Sequence, residues 1–348
     1  MGFARGALGF AWRALGFAWR ALETPGAAPI SGQDIAPGTP FVTYLFLVIG
    51  LVGLFVGGEF LVRGAVGIAR KFDLSPLVIG LTVVGFGTSM PELLVSVQAA
   101  LGGTPAIAMG NVVGSNIANI LLILGVAAVI APVGIAFGPL RRDLAAMLAA
   151  TLLLWGMILG GYLGRIEGLI LFAGLLAFLW AALRSGTVEV DEKLVTLDPP
   201  PLWRSVLIAV AGLAVLMISA RLLITSATEL ARAFGISEAV IGLTIVAIGT
   251  SLPELATTVV AAMRRQADIA VGNVVGSNIF NILAILGITA LIAPIPVDAR
   301  FAGVDMGLAF VAAAGLAFVS WKWGRLGRPA GAGLLLVYVA YVAAMAVI

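Results

Sequence analysis

Two glutamates lie within long apolar stretches of this chain, and the same short motif surrounds each of them. Residues 80–94 read GLTVVGFGTSMPELL and residues 242–256 read GLTIVAIGTSLPELA, so that Glu92 and Glu254 occupy equivalent positions. A carboxylate at the centre of a bilayer costs about 3 kcal/mol or more, and such a residue usually faces a partner, a cavity or an ion path. The pair therefore predicts a buried cation site.

A second motif repeats at the same distance along the chain. Residues 110–125 read GNVVGSNIANILLILG and residues 272–287 read GNVVGSNIFNILAILG, with 14 of 16 positions identical. In both motifs the two copies are 162 residues apart, and the same offset relates Pro132 to Pro294. The chain is therefore an internal duplication, and a site built on these motifs would receive ligands from both halves.

The first motif places several oxygen-bearing residues on one helix face, because side chains three or four residues apart lie on the same side of a helix. A proline, Pro91 or Pro253, removes a backbone hydrogen bond to the carbonyl four residues earlier and bends the helix. The freed carbonyls of Gly87 and Gly249 then join the hydroxyls and the carboxylate in an oxygen-rich surface. The face comprises Gly85, Thr88, Ser89, Glu92 and Ser96 in the first copy and Ala247, Thr250, Ser251, Glu254 and Thr258 in the second.

The second motif supplies the remaining corners of this site. Ser115 and Asn119 are one helical turn apart, as are Ser277 and Asn281. A set of carboxylate, hydroxyl and amide oxygens suits a hard cation such as Ca²⁺, which takes about 6–8 oxygen ligands, and suits Mg²⁺ less well. Because the sequence contains no Cys and no His, thiolate and imidazole metal sites and a histidine-based catalytic triad are excluded.

The charges of the two glutamates favour exchange of cations. Two ionised carboxylates balance one divalent cation. In an emptied pocket of low dielectric the same two charges repel each other, so that protons or monovalent cations must replace the divalent one. Either Na⁺ or H⁺ would satisfy this charge balance as the counter-ion.

The composition is that of an integral membrane protein. Of the 348 residues, 61% are hydrophobic and 11% are charged, and the mean hydropathy is +1.14. Soluble domains are about half apolar and about a quarter charged. The small net charge of +3 and the position of the basic residues in loops argue against nucleic acid as a partner. Membrane lipid is the expected surrounding.

A spanning helix needs about 20 mostly apolar residues, and ten segments qualify. We therefore predict an all-α polytopic membrane protein of ten transmembrane helices in two inverted five-helix repeats, because an odd number of spans turns the second copy upside down. The predicted parts are an N-terminal basic tail (1–41), a first repeat (42–183), a linker (184–202) and a second repeat (203–348). The predicted spans are 42–68, 76–101, 105–131, 143–163, 166–183, 203–230, 238–263, 268–293, 304–323 and 330–348.

Loop charges orient the predicted helices. Twelve Lys and Arg residues of the core fall on one side of the membrane and three, Arg165, Arg232 and Arg300, on the other. Since positive loops stay in the cytoplasm, this predicts a multi-pass plasma (inner) membrane protein with a cytoplasmic linker and both core termini outside. Residues 1–22 repeat a basic heptad three times; an interfacial anchor helix and a dispensable or non-native tail are both open interpretations.

The paired motifs carry a family resemblance. The GTS-x-PEL and GNVVGSN-x-x-NIL segments, each present twice, resemble the alpha repeats of the calcium/cation antiporter superfamily, specifically its sodium/calcium exchanger-like prokaryotic branch. The resemblance covers residues 42–348 and implies a transporter with neither enzymatic activity nor a cofactor. It implies Ca²⁺ export driven by inward Na⁺, with alternating access in which the first and sixth helices slide across the rest. The implied cation ligands are Thr88, Ser89, Glu92, Ser115, Asn119, Thr250, Ser251, Glu254, Ser277 and Asn281, with backbone carbonyls near Gly85 and Ala247.

Two features of the motifs bear on the coupling ion. Some members of the family have Asp where this chain has Asn281, and potassium-dependent relatives also use an acid in this region, so K⁺ co-transport is disfavoured. Proton-coupled relatives carry GN-x-x-E in place of GTS-x-PE, which favours Na⁺ here. A Ca²⁺/H⁺ antiporter, or another cation/proton antiporter on the same fold, remains the alternative.

Two other classes of protein fit the motifs less well. An ion channel usually assembles its ring of ligands from several subunits, whereas here one chain supplies both halves of the site, so we expect a functional monomer. An intramembrane enzyme could use two carboxylates as acid and base. The surrounding hydroxyl and amide groups suit ion coordination instead, and the motifs contain no nucleophile–base pair.

Several polar residues and glycines also have structural interpretations. The glycines of each GxxxG pattern suit close helix packing, and Ser or Thr hydroxyls can bond to carbonyls of their own helix. Glu59 precedes Arg63 by one turn, which predicts an intrahelical ion pair, and Arg221, the repeat equivalent of Glu59, would then pair across the halves. The asparagines expected to tie helices together are Asn111, Asn116, Asn273 and Asn278.

Overall fold

The structure, a computed structural model, describes four stretches of the chain, which are residues 40–72, 74–184, 201–235 and 247–347. The predictions for the basic heptads, for most of the 184–202 linker and for residues 238–246 of the seventh span fall outside these stretches.

The described residues form helices joined by short turns and four two-residue strands. Residues 106–130 and 267–292 are each one helix that contains a π-helical turn. A single helical turn, Ala247–Gly249, precedes the eighth helix. In chain order the helices are α1 Pro40–Lys71, α2 Pro76–Thr88, α3 Met90–Leu101, α4 Ala106–Ile130, α5 Phe137–Ile158, α6 Arg165–Arg184, α7 Leu202–Ala233, α8 Leu252–Met263, α9 Ala267–Ile292, α10 Phe301–Trp323 and α11 Arg328–Val347.

Seven of the described helices are long and apolar enough to cross a membrane, and α2 with α3, bent by 43°, would make an eighth span. The prediction of an all-helical membrane protein is confirmed at this level. The predicted span 143–163 was wrong in its bounds, because α5 begins at Phe137 and ends at Ile158. Its first turns contain Arg141, Arg142 and Asp143, and Arg142 pairs with Asp143 at 2.7 Å. The seven single helices are α1, α4, α6, α7, α9, α10 and α11.

Four short strands connect the ends of α5 and α10. Before α5, β1 (Val133–Gly134) pairs antiparallel with β4 (Arg325–Leu326), which follows α10. After α5, β2 (Tyr162–Leu163) pairs antiparallel with β3 (Ile295–Pro296), which precedes α10. The start of each of these two helices therefore lies beside the end of the other, and the helices run antiparallel.

Two of the long described helices are buried among the others, and the remaining long helices are more exposed. In the most apolar windows of α4 and α9, 72% and 83% of the residues are buried, compared with 33% and 28% for α1 and α7. A helix that is apolar all round and buried belongs to the core. The main hydrophobic cluster includes residues of α4, α5, α9 and α10, whereas a second cluster joins α1 and α7 to α2 and α8.

Glycines bring α1 and α7 into close antiparallel contact. A Cβ added to Gly212 of α7 would lie 2.4 Å from the backbone nitrogen of Leu61, and one added to Gly64 would lie 2.5 Å from the backbone nitrogen of Ala209. Because no side chain fits between the backbones at these points, the two helices pack as one unit.

The GxxxG prediction is confirmed for the second repeat. A Cβ on Gly276 would lie 2.4 Å from the carbonyl oxygen of Leu81, and one on Gly272 would lie 2.8 Å from that of Leu77, so α9 packs backbone to backbone against α2. The first repeat differs, since a Cβ on Gly114 would meet no described atom within 4 Å. The repeat equivalent of Leu81 is residue 243, which lies outside the described stretches.

Candidate cation site

The helix break that positions the first glutamate lies at Ser89. Its backbone angles, φ −81° and ψ 4°, end α2 and start α3. Pro91 has no N–H, so the carbonyl of Gly87 lacks its usual helical donor. In the second motif Ser251 has nearly the same angles, φ −89° and ψ 8°, immediately before Leu252 starts α8. The predicted proline break is confirmed in both copies.

The last asparagine of the second motif starts a π-helical turn in each of the two copies. Asn119 begins the π-turn Asn119–Ile123 inside α4, and Asn281 begins the π-turn Asn281–Leu286 inside α9. Single π-turns inside α-helices occur frequently at functional sites. Nothing in the residue pattern indicated these turns, since the local sequence is compatible with an ordinary α-helix.

The two carboxylates are buried and each is hydrogen-bonded from the other half of the chain. Glu92 and Glu254 are both 1% exposed. Ser251 Oγ donates to Glu92 Oε1 at 3.2 Å, and Ser89 Oγ donates to Glu254 Oε1 at 3.2 Å. These crossed contacts bring the two helix breaks together, so that the site contains elements of both repeats.

Five buried oxygens of the predicted site residues have no hydrogen-bond partner among the described residues. Buried polar atoms in proteins are normally paired, and each exception requires an explanation. All five are oxygens and can face a positive ligand; buried oxygens of residues outside the predicted site, such as Thr257 and Thr289, also lack a described partner. The five atoms are Glu92 Oε2, Glu254 Oε2, Asn119 Oδ1, Asn281 Oδ1 and Thr250 Oγ1.

In the part of the chain that the structure describes, neither Glu92 nor Glu254 forms an ion pair with Lys or Arg. The acidic residues with ion-pair partners include Glu59, Asp143 and Asp305. An unpaired buried charge costs several kcal/mol. Two buried carboxylates at one site, without Lys or Arg partners among the described residues, therefore strongly favour the binding of a cation. Within the same stretches no three acidic, His or Cys residues are placed to hold one metal ion together, so the other oxygens available to a cation at the two glutamates are neutral.

The remaining hydroxyls of the motifs have different surroundings. Thr88 Oγ1 lies 3.0 Å from the carbonyl oxygen of Val84 and 3.1 Å from Asn273 Oδ1, so that the alternative of bonding back to its own helix is observed for this residue. Ser115 Oγ is 3.4 Å from the hydroxyl of Ser251.

The backbone carbonyls expected at the site lie at the helix breaks. Ser277 Oγ donates to the carbonyl oxygen of Gly85 at 3.3 Å, which links α9 to the end of α2. Ala247 begins the single helical turn before Ser251. Of the twelve predicted site residues, nine have buried side chains and Gly85 has a contacted carbonyl, whereas Thr250 is half-buried and the side chain of Ala247 is outside the description.

Two asparagines tie neighbouring helices together, as predicted. Asn111 Nδ2 donates to the backbone oxygen of Glu92 at 3.1 Å, joining α4 to α3. Asn273 Nδ2 donates to the backbone oxygen of Glu254 at 3.3 Å, joining α9 to α8. Both bonds hold the helix that carries the glutamate.

The predicted ion pair of Glu59 with Arg63 is confirmed, but the predicted partner across the halves is wrong. Arg264, at the end of α8, lies 2.7 Å from Glu59 Oε1 and donates through Nε to Oε2 at 2.8 Å. Arg221 forms no ion pair with any described residue. Sequence separation alone gave no means of finding the Arg264 contact, because it depends on how α1 packs against α8.

The family model described as "Sodium/calcium exchanger protein" matches residues 42–184 and 204–347. Inner membrane protein YrbG of Escherichia coli (strain K12) is 38% identical over 302 residues, which cover 83% of this chain and 92% of that protein. Sodium/calcium exchanger MaX1 of Methanosarcina acetivorans is 33% identical over 348 residues, covering 86% of this chain and 97% of the relative.

The fold is similar to that of a solved exchanger. A structure of the sodium-calcium exchanger NCX_Mj superimposes with a TM-score of 0.78 at 31% sequence identity, covering 88% of this chain and 99% of that one. From the two matched segments and these similarities, the chain belongs to the sodium/calcium exchanger protein family.

Proposed function

We propose that this protein is a secondary active antiporter that exports Ca²⁺ in exchange for Na⁺. The observation that carries the proposal is the pair of buried glutamates, Glu92 and Glu254, whose second oxygens lack partners among the described residues, as do neutral oxygens of the same two motifs. Membership of the sodium/calcium exchanger family supports the same proposed function. The alternative is a Ca²⁺/H⁺ antiporter, or another cation/proton antiporter, on the same fold.

The oxygens at the site suit Ca²⁺ in number and in charge. Two carboxylates neutralise one divalent cation, and hydroxyl, amide and carbonyl oxygens complete a shell of about 6–8 ligands. We assign the ligands to both motif copies and to the carbonyls at the two helix breaks. They are Thr88, Ser89, Glu92, Ser115, Asn119, Thr250, Ser251, Glu254, Ser277 and Asn281, with the backbone oxygens of Gly85 and Ala247.

The same charges make exchange the preferred mode of transport. When Ca²⁺ leaves, two carboxylates remain in a buried site without Lys or Arg partners among the described residues. Their repulsion in a low dielectric is relieved when monovalent cations enter. An empty carrier is therefore unfavourable, which couples the exit of one ion to the entry of the other.

We further propose that residues 42–183 and 203–348 are two inverted five-helix repeats, ten spans in all. β1 and β3 occupy equivalent positions, 162 residues apart, yet β1 precedes α5 and β3 pairs with the strand that follows it. The 22 residues of α5 extend about 33 Å, the thickness of a membrane core. Equivalent segments at opposite ends of such a helix support inversion.

Alternating access in this proposal moves α1 and α7, which are the first and sixth predicted spans. They contact each other backbone to backbone, and they are the least buried of the helices that join the second hydrophobic cluster. A pair that is tightly joined internally and more loosely seated on its neighbours is suited to slide as one body.

The proposed setting is the inner membrane, with a cytoplasmic 184–202 linker and the core termini outside. Twelve of the core's loop charges against three support this orientation, and the relative from Escherichia coli is named as an inner membrane protein. Since one chain supplies both motif copies, we propose that the monomer is functional. We assign the protein no enzymatic activity and no cofactor, with Ca²⁺ and Na⁺ as its transported ions.

Displacement of bound Ca²⁺ tests the shared site. We expect purified protein in detergent to bind ⁴⁵Ca²⁺ and to release it when Na⁺ is added at constant pH and ionic strength, because both ions require the same carboxylates. K⁺ at the same concentration is the matched control and should release little. Bound Ca²⁺ that is insensitive to Na⁺ but is released by protons would favour the Ca²⁺/H⁺ alternative.

A further inference from the structure

Four buried asparagines form two crossed pairs between α4 and α9. Asn119 Nδ2 donates to Asn278 Oδ1 at 3.1 Å, and Asn281 Nδ2 donates to Asn116 Oδ1 at 3.0 Å. All four side chains are at most 6% exposed. In each pair one member is a proposed cation ligand and the other, from the opposite half of the chain, is not.

The pairing fixes which end of each ligand amide is available to a cation. An amide side chain is planar and carries a donor NH₂ group and an acceptor oxygen on the two arms of one carbon atom. Because the NH₂ groups of Asn119 and Asn281 are engaged, their Oδ1 atoms occupy the other side, and both are buried without a hydrogen-bond partner among the described residues. Rotation by 180° would turn a donor nitrogen towards the ion and repel it.

The two outer asparagines are themselves oriented by the surrounding helices. Asn116 Nδ2 donates to the backbone oxygen of Asn278 at 3.2 Å. Asn278 Nδ2 lies 3.6 Å from the sulfur of Met147 on α5. With their NH₂ groups turned to these partners, Asn116 and Asn278 face the opposite asparagine with Oδ1, an acceptor that requires a donor. The residue opposite must therefore present NH₂.

We propose that Asn116 and Asn278 are positioning residues for cation binding, with Asn116 aiming the carbonyl oxygen of Asn281 and Asn278 aiming that of Asn119. This inference rests on the proposed function. It goes beyond tying helices together, because the ligand of each repeat is oriented by the other repeat. It also gives a reason for an amide at position 281, since a carboxylate there would face Asn116 Oδ1 without a proton to donate.

A double-mutant cycle on Ca²⁺ binding separates positioning from a general structural role. Replacing groups that orient metal ligands typically costs about 10–100-fold in affinity, so Asn116→Leu should raise the Kd for ⁴⁵Ca²⁺ at least about tenfold. In the Asn281→Ala background, where the oxygen it aims is gone, the further effect should fall below about twofold. In the Asn119→Ala background it should again be about tenfold, because coupled effects are confined to residues that interact.

A control variant and a mirror variant separate loss of positioning from a general loss of packing or folding. Thr151→Val removes a buried hydroxyl that donates to the backbone oxygen of Met147, and it should leave the Kd within about twofold of wild type. If Asn116→Leu does not fold, the mirror variant Asn278→Leu is tested against Asn119→Ala and Asn281→Ala with the partners exchanged. Equal effects in both backgrounds, or a wild-type Kd for Asn116→Leu, would overturn the proposal.

The failure of this inference is distinguishable from failure of the proposed function. If wild-type protein binds Ca²⁺ and Glu254→Gln does not, the cation site stands, whatever the asparagine variants show. If wild-type protein binds no Ca²⁺, the proposed function fails and the assignment of Asn116 and Asn278 fails with it.

Discussion

Glu254→Gln should reduce Ca²⁺ transport by at least about 100-fold, a larger loss than the 10–100-fold typical of residues that only orient metal ligands. Glutamine keeps the size of the side chain and an oxygen that can still accept from Ser89 Oγ, which lies 3.2 Å from Glu254 Oε1. It removes one of two negative charges and replaces one carboxylate oxygen with a donor nitrogen. A divalent cation in a buried site depends on both charges. Glu92→Gln should behave in the same way.

The measurement is initial ⁴⁵Ca²⁺ uptake into proteoliposomes, normalised to protein that elutes as a single species in detergent. Glu167→Gln is the matched control, because Glu167 Oε2 accepts a hydrogen bond from the backbone nitrogen of Gly164 and lies away from the site. Its uptake should stay within about twofold of wild type. Uptake by Glu254→Gln at the wild-type rate would remove this residue from the site.

A disulfide between α1 and α8 should block transport, and reduction should restore it. Gly58 of α1 faces α8, and a Cβ at this position would lie 3.3 Å from Val260 Cγ2, close enough for a Gly58→Cys/Val260→Cys pair to approach disulfide geometry. If α1 slides across α8 in each cycle, the bond would hold one state, and we expect uptake to fall at least about tenfold. The chain contains no Cys, so each bond is formed without competing thiols.

A second disulfide tests whether α1 and α7 move together. A Cβ on Gly50 would lie 3.1 Å from Leu223 Cβ of α7, so the pair Gly50→Cys/Leu223→Cys joins the two helices to each other and to nothing else. Oxidation of this pair should leave uptake within about threefold of its reduced form. Unimpaired transport by the oxidised Gly58→Cys/Val260→Cys protein would exclude sliding of α1 past α8.

The parts of the site that could be predicted depend on the spacing of residues along a single helix. Three- and four-residue intervals placed Ser89 and Glu92 on one helix face, and Pro91 indicated the break beside them. The duplication indicated that a second set, with Ser251 and Glu254, would join the first. These inferences needed only helix geometry and the cost of a carboxylate in hydrocarbon.

The parts that could not be predicted depend on contacts between distant segments. The crossed bond between Asn119 and Asn278 joins residues from opposite halves, and no spacing within one helix indicates it. The extra turns of α5 were missed because Arg142 reads as a loop charge, whereas it pairs with Asp143 and donates to the backbone oxygen of Ala181 on α6. A charge satisfied by tertiary contacts resembles a loop charge in sequence.

The most direct test of the account is ⁴⁵Ca²⁺ uptake into wild-type proteoliposomes under clamped voltage, with an outward Na⁺ gradient compared with an outward H⁺ gradient. We predict uptake with the Na⁺ gradient and none above background with the H⁺ gradient, because Na⁺ is the proposed occupant of the paired carboxylates when Ca²⁺ leaves. Uptake driven only by H⁺ would contradict sodium coupling while retaining the site. Absence of uptake under both gradients would contradict calcium antiport itself.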